Sequence, residues 1–154
     1  MYFGKNFPSY SENDLEGVFI VKKVKISLIC LSVLAIILEI LPFGAVLNFA
    51  NDGATIRKTF SYFSLTPFGY ANFAPFITAL LSCVLLLLSI ICLIKDSNST
   101  ENAIMVVSAL ASLLSLAPIL YGFDYFSVLG GCISVVLLGC FGLSLYAKIA
   151  GKKE

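Results

Sequence analysis

Long apolar runs separated by short polar stretches set the pattern of this chain. A helix crosses about 30 Å of hydrocarbon with about 20 apolar residues. Four segments meet that length: Ile26–Leu47, Pro75–Ile94, Ala103–Tyr121 and Phe126–Ala147. The last three carry no charge, and the first is interrupted only by Glu39 and Pro42. Pro75 suits the first turn of a helix, where its missing N–H costs nothing. Asp96-Ser97-Asn98-Ser99-Thr100 reads as a polar turn able to cap the third helix. Tyr121-Gly122-Phe123-Asp124 reads as a tight reversal, with Gly122 free to take a positive φ and Asp124 placed to cap the fourth helix. The first span starts too late and runs too long for a signal-peptide core. The pattern therefore predicts an all-α integral membrane protein. Its core is a four-transmembrane-helix bundle over residues 26–147, between an N-terminal segment (1–25) and a basic tail (148–154).

The basic residues give the bundle a direction. Lys5, Lys22, Lys23 and Lys25 precede the first span, Lys95 follows the second, and Lys148, Lys152 and Lys153 follow the fourth. Four spans place all of these on one side and only Arg57 and Lys58 on the other, so the positive-inside rule predicts cytoplasmic N- and C-termini. The lysines would meet anionic lipid at the inner face. Residues 48–74 then form a long first external loop, rich in aromatics.

Composition narrows the class without naming an activity. Of 154 residues, 59% are hydrophobic and 12% charged, against about 45–50% and about 25% in soluble domains. A mean hydropathy of +0.98 cannot be hidden inside a soluble globule this small. A soluble enzyme, a disordered tail and a nucleic-acid-binding domain are thereby excluded. The chain has no His and no Trp, so the commonest general base and metal ligand is missing. The five cysteines, Cys30, Cys83, Cys92, Cys132 and Cys140, lie in apolar runs without CxxC spacing. They signal neither a loop disulfide nor a zinc site, and no metal or cofactor is expected. The Phe, Ile, Tyr and Lys content leans toward a bacterial cell membrane.

Three groups of residues are candidates for function. Glu39 is the only charged residue inside a span, which makes it a functional hypothesis by default. Either it pairs with Arg57 or Lys58 and ties the loop to the bundle, or it faces the interior and exchanges a proton or binds a cation. Pro42, which cannot donate to the carbonyl of Leu38, is expected to kink that helix, with Gly44 adding freedom. In the loop, Phe60, Tyr62, Phe63, Phe68, Tyr70 and Phe73 form either an aromatic belt and lid or a recognition surface. Asn51-Asp52-Gly53 reads as a turn and Thr55–Leu65 as a strand or hairpin, with an interfacial helix as the competing reading. Ser108, Ser112 and Ser115 share one helix face, and Gly130, Ser134, Gly139 and Gly142 cluster on another. Small residues of this kind let helices approach closely in lipid.

In outline, four spans with a long first external loop resemble claudins and related four-span proteins, but the Trp and loop cysteine pair of that family are absent. Ala35-Ile36-Ile37-Leu38-Glu39-Ile40 is similar to the first helix of small multidrug transporters over that stretch alone. Neither likeness assigns a family. The expected function is a non-enzymatic accessory, assembly or scaffold protein. It would act through helix and loop contacts with a membrane-protein partner or a second copy in the plasma membrane. The alternative is a small proton- or cation-coupled transporter using Glu39.

Overall fold

A computed structural model describes residues 12–51, 54–70, 72–95, 97–120 and 122–150. Residues 1–11 with Lys5, the turn residues Asp52 and Gly53, Asp96, Tyr121, and the tail lysines Lys152 and Lys153 lie outside the described residues. The chain is mostly helical. Helix α1 (Glu12–Ile40) leads into an antiparallel hairpin of β1 (Ala45–Asn51) and β2 (Ala54–Phe60). The short helix α2 (Leu65–Gly69) follows, then α3 (Ala74–Ile94), α4 (Asn98–Ser115) and α5 (Ala117–Leu120). A 3-10 turn (Phe123–Tyr125) precedes α6 (Val128–Ala150).

Among the described residues, three stretches are long and apolar enough to cross a membrane: Ala74–Ile94, Asn98–Leu120 and Val128–Ile149. They are consistent with a membrane protein. Helix α1 carries Lys22, Lys23, Lys25 and Glu39, which break its apolar run. It packs against α3 and α6, and α4 packs against the same two helices, so the four long helices enclose one interior. That interior combines apolar clusters around Leu28, Leu85, Ile104, Ile133 and Leu137 with rows of small polar residues. Ser32, Ser82, Ser89, Ser108, Ser112 and Ser134 are buried, while residues such as Leu87, Ile94, Leu113, Val128 and Val135 point outward and stay exposed. Small hydroxyl residues inside and branched aliphatics outside match what lipid as a solvent favours, because burying an aliphatic away from lipid gains little.

Several boundaries differ from the sequence pattern. The apolar run 26–47 is not one helix. Helix α1 begins at Glu12 and stops at Ile40, and Leu47 lies on β1. Pro42 ends the helix rather than kinking it. It has no N–H to give the carbonyl of Leu38, and Leu41 N–H closes onto that carbonyl instead, at 3.3 Å. Gly44 lies beyond the helix altogether and is no hinge within it. Residues 45–51 pair in register with β2, whose Thr55, Ile56, Thr59 and Phe60 are strand-forming types, from Ala45 opposite Phe60 to Asn51 opposite Ala54. The run 103–121 is also divided. Helix α4 starts five residues earlier, at Asn98, and ends at Ser115, because Pro118 offers no N–H and its ring would meet the carbonyl four residues back. Gly122 takes a φ of 118°. The cap of α6 is Ser127, whose Oγ accepts from Gly130 N–H at 2.8 Å; Asp124 sits in the 3-10 turn instead.

Candidate functional site

The hairpin, α2 and the 3-10 turn close one end of the bundle, and the point of closure lies at the last turn of α1. There the Glu39 side chain is 0% exposed. Ser82 of α3 donates its hydroxyl to Glu39 Oε1 at 2.7 Å, while Oε2 has no hydrogen-bond partner. Ala35, one turn before Glu39, and Ala79, one turn before Ser82, are both fully buried. Small residues at those positions leave room for the carboxyl between the helices.

The expected pair of Glu39 with Arg57 or Lys58 is not formed. Both cations belong to β2, the outer strand, whose described side chains are exposed from Thr55 to Thr59, whereas β1 turns Ala45, Val46 and Leu47 inward. Arg57 Nη2 donates to the Phe126 carbonyl at 2.8 Å, and Lys58 Nζ lies 5.8 Å from the centre of the Phe49 ring. The carboxyl faces the interior.

Tyr62 plugs the corner beside this site. Its backbone N–H donates to the Glu39 carbonyl at 2.9 Å, satisfying an acceptor that the end of α1 leaves open. Its ring lies against Gly44 so closely that a Cβ there would stand 2.8 Å from ring atom Cδ1. Glycine is required at residue 44 by space, not by backbone angle. The Tyr62 hydroxyl reaches the start of α6, 3.3 Å from where a Cβ on Gly130 would stand. Burial pushes the phenol well above its usual range, with the nearby Glu39 carboxyl adding to the shift, so Tyr62 stays neutral. Ser127 fastens the same corner, donating its hydroxyl to the Gly44 carbonyl at 2.6 Å while it caps α6.

The loop aromatics divide into two sets. Tyr62 is 1% exposed, and Phe60 and Phe63 are half-buried against the same core cluster of Ala35, Ala79, Ala111, Ile133 and Leu137. Tyr62 is therefore not available as a contact surface, and Phe60 and Phe63 present only part of theirs. Phe68, Tyr70 and Phe73 are exposed, as are Leu65 at the start of α2 and Phe43 in the turn before β1. Phe68 packs edge-to-face on Phe73 and Phe76, with centroids 4.8 and 5.6 Å away, and Tyr70 packs edge-to-face on Phe49 at 5.1 Å.

The serine and glycine faces divide similarly. Ser108, Ser112, Ser115 and Ser134 are buried. Ser134 donates to the Ser115 carbonyl at 3.1 Å, and Ser108 and Ser144 hydroxyls meet at 3.3 Å, so α4 and α6 are linked by hydroxyls. Gly130 lies in the corner under Tyr62, and a Cβ on Gly139 would touch Leu31 of α1 at 3.6 Å. Gly142 faces outward with open space around it and packs against nothing. At the opposite end, Lys25 pairs with Glu101 at 3.4 Å. That pair borders a cavity of about 20 Å³ lined in part by Ser89, Cys92 and Ser144, room for about one water molecule.

Sequence reading missed Ser82 and Ser127. A signal for Ser82 was present: Thr78, Ser82 and Ser89 recur at helical spacing along one face of an otherwise apolar helix. No family model, curated protein or solved structure matches this chain.

Proposed function

We propose that this protein is a four-span membrane protein that acts by contact rather than by catalysis, as an accessory or scaffold subunit for another membrane polypeptide. In this reading α1 is the fourth span. Lys22, Lys23, Lys25, Lys95 and Lys148 face the cytoplasm and its anionic lipid, and the hairpin cap lies outside. The observation that carries it is the cap itself. Phe43, Leu65, Phe68, Tyr70 and Phe73 stay exposed on a segment held to the bundle by the Tyr62, Arg57 and Ser127 hydrogen bonds. A fixed cluster of exposed aromatics fits recognition, since aromatics concentrate at the centre of interfaces. Native mass spectrometry of the tagged protein, taken from its own membrane into lipid nanodiscs, tests this. A stoichiometric second polypeptide is expected, and it should be lost when Phe68, Tyr70 and Phe73 are all replaced by Ser. A monomer or homodimer with no other chain would count against the reading.

A second reading is favoured by a different observation, the interior-facing Glu39 with its unpartnered Oε2. In it the protein is a small proton- or cation-coupled transporter. Glu39→Gln in sealed proteoliposomes is then expected to reduce proton uptake, followed with an entrapped pH dye, to the background of empty liposomes while the fold stays intact. Loss of the partner complex with no change in uptake would favour the accessory reading.

A further inference from the structure

We propose that Glu39 and Ser82 form a proton-binding site that loads from the capped end of the molecule, past Tyr62. The inference rests on the second reading above and deepens it by naming the ligand and its route.

The donor set selects the ligand. A buried carboxyl needs a compensating positive charge or must be neutral, since an isolated ionised group away from water is costly. The cations within reach of the cap, Arg57 and Lys58, are engaged elsewhere. A hard metal ion would demand about six or more oxygen ligands. Glu39 meets one side-chain hydroxyl, that of Ser82. The other hydroxyls nearby are directed to their own helices: Ser32 donates to the Leu28 carbonyl and Thr78 to that of Ala74, each at 2.8 Å. A proton needs no such shell, and Oε2 is the atom left without a partner. Three titratable groups feel the charge of Glu39: Tyr62 from the cap, Cys83 from α3 and Cys140 from α6. On α4, which completes the interior, the buried residues are Ile104, Ser108, Ala111, Ser112 and Ser115, none of which titrates.

The route follows from what separates the carboxyl from water on each side. Toward the lysine-rich end lie Leu28, Leu85, Cys92, Ile104 and Cys140, an apolar cluster whose outer edge lines the water-sized cavity beside Lys25 and Glu101, with the fully buried Leu85 and Cys140 separating that cavity from Glu39. At about 1.5 Å per helical residue, Leu28 alone is about 16 Å below Glu39. Toward the cap, Glu39 is one residue from the end of α1 and its own carbonyl holds the Tyr62 N–H. The Tyr62 ring is thus the layer that must swing off Gly44 for water to reach Oε2, a local opening of one corner rather than of the bundle.

Carbodiimides test both parts in the full-length protein in lipid. They add to a protonated carboxyl and rearrange to a stable N-acylurea that retains every atom of the reagent. Labelling therefore requires a proton on the acid and access to it. Lipid-soluble dicyclohexylcarbodiimide is expected to modify Glu39 in nanodiscs, located by peptide mass spectrometry and lost in Glu39→Gln. A water-soluble aminoalkyl carbodiimide is expected to label the wild type slowly. Tyr62→Leu and Gly44→Ala, which disturb the same contact from opposite sides, should label at least about ten-fold faster because they ease the local opening. Tyr62→Phe, which keeps the ring, should label as the wild type does. Circular dichroism and elution volume identify the folded variants. The wild type gives an independent measure in sealed vesicles, where the water-soluble reagent should label faster from the capped side than from the lysine-rich side. Absence of any lipid-soluble labelling would overturn the proton site, and the transport reading would fall with it only if Glu39→Gln also left proteoliposome uptake unchanged. Lipid-soluble labelling combined with equal or reversed sidedness, or with no acceleration in the folded variants, would overturn the route and leave the transport reading standing.

Discussion

Tyr62→Ala is expected to lower the unfolding free energy by about 3–5 kcal/mol, the range for removing a buried aromatic ring. The magnitude follows from where the ring sits. Tyr62 is 1% exposed and touches Gly44 from the neck of the cap, with its hydroxyl against the start of α6. Its loss leaves a cavity between elements that other bonds hold apart, since Ser127 still ties Gly44 to α6 and Arg57 still ties β2 to Phe126. The site therefore cannot collapse fully, and residual cavity volume adds to the transfer cost. Tyr62→Phe keeps the ring and removes only the hydroxyl, so it should cost no more than about 1.5 kcal/mol. Reversible unfolding in mixed lipid–detergent micelles would measure both. If Tyr62→Ala cost no more than Tyr62→Phe, the ring would not be the stopper at this corner.

Much of the helical architecture could be read in the sequence because lipid selects long uncharged runs. Helix α3 (Ala74–Ile94) and helix α6 (Val128–Ala150) lie within three residues of the runs 75–94 and 126–147 at each end. The errors arose where an apolar run continued through a change of secondary structure. From Leu41 to Leu47 hydropathy stays high, so the pattern saw one span. The backbone turns there, because Pro42 ends the helix and Ala45–Asn51 finds a partner strand in Ala54–Phe60, across a tight hairpin. Periodicity alone does not tell a short apolar strand from the end of a helix. The side-chain roles were harder. Ser32, Ala35 and Glu39 follow helical spacing and mark a small, polar face, while Val33, Leu34, Ile37 and Ile40 face outward. That contrast, which leaves Glu39 open between the loop and the interior in the sequence, becomes decisive once buried serines are seen on the facing helices. Nothing local separates Tyr62 from Tyr70, both aromatic loop residues. One is the stopper and the other is exposed, and that difference comes from tertiary contacts with Gly44 and Gly130.

The Ser82–Glu39 hydrogen bond should carry a large share of the contact between α1 and α3. Ser82→Ala is expected to cost about 1.5–3 kcal/mol if the bond is charge-assisted, and about 1 kcal/mol if the carboxyl is neutral. Glu39→Gln should cost less, because the amide oxygen can still accept from Ser82. The discriminating measurement is the same Ser82→Ala change made in a Glu39→Leu background. There the serine hydroxyl has lost its acceptor on α1 and can turn to its own helix, as Ser89 does by donating to the Leu85 carbonyl at 2.7 Å. Removing it should then cost less than about 0.5 kcal/mol, as for a side chain without a tertiary partner. The difference between the two backgrounds is the coupling energy of the pair. Equal costs in both would mean that Ser82 acts only on its own helix and that packing, not this bond, holds Glu39 in place. A clear coupling would mean that the bond fixes Oε1 and leaves Oε2 as the atom free for exchange. Ser82→Ala should then also broaden the position of the carboxyl and alter its carbodiimide labelling, whereas Thr78→Ala, which removes a hydroxyl bonded within α3, should leave that labelling unchanged.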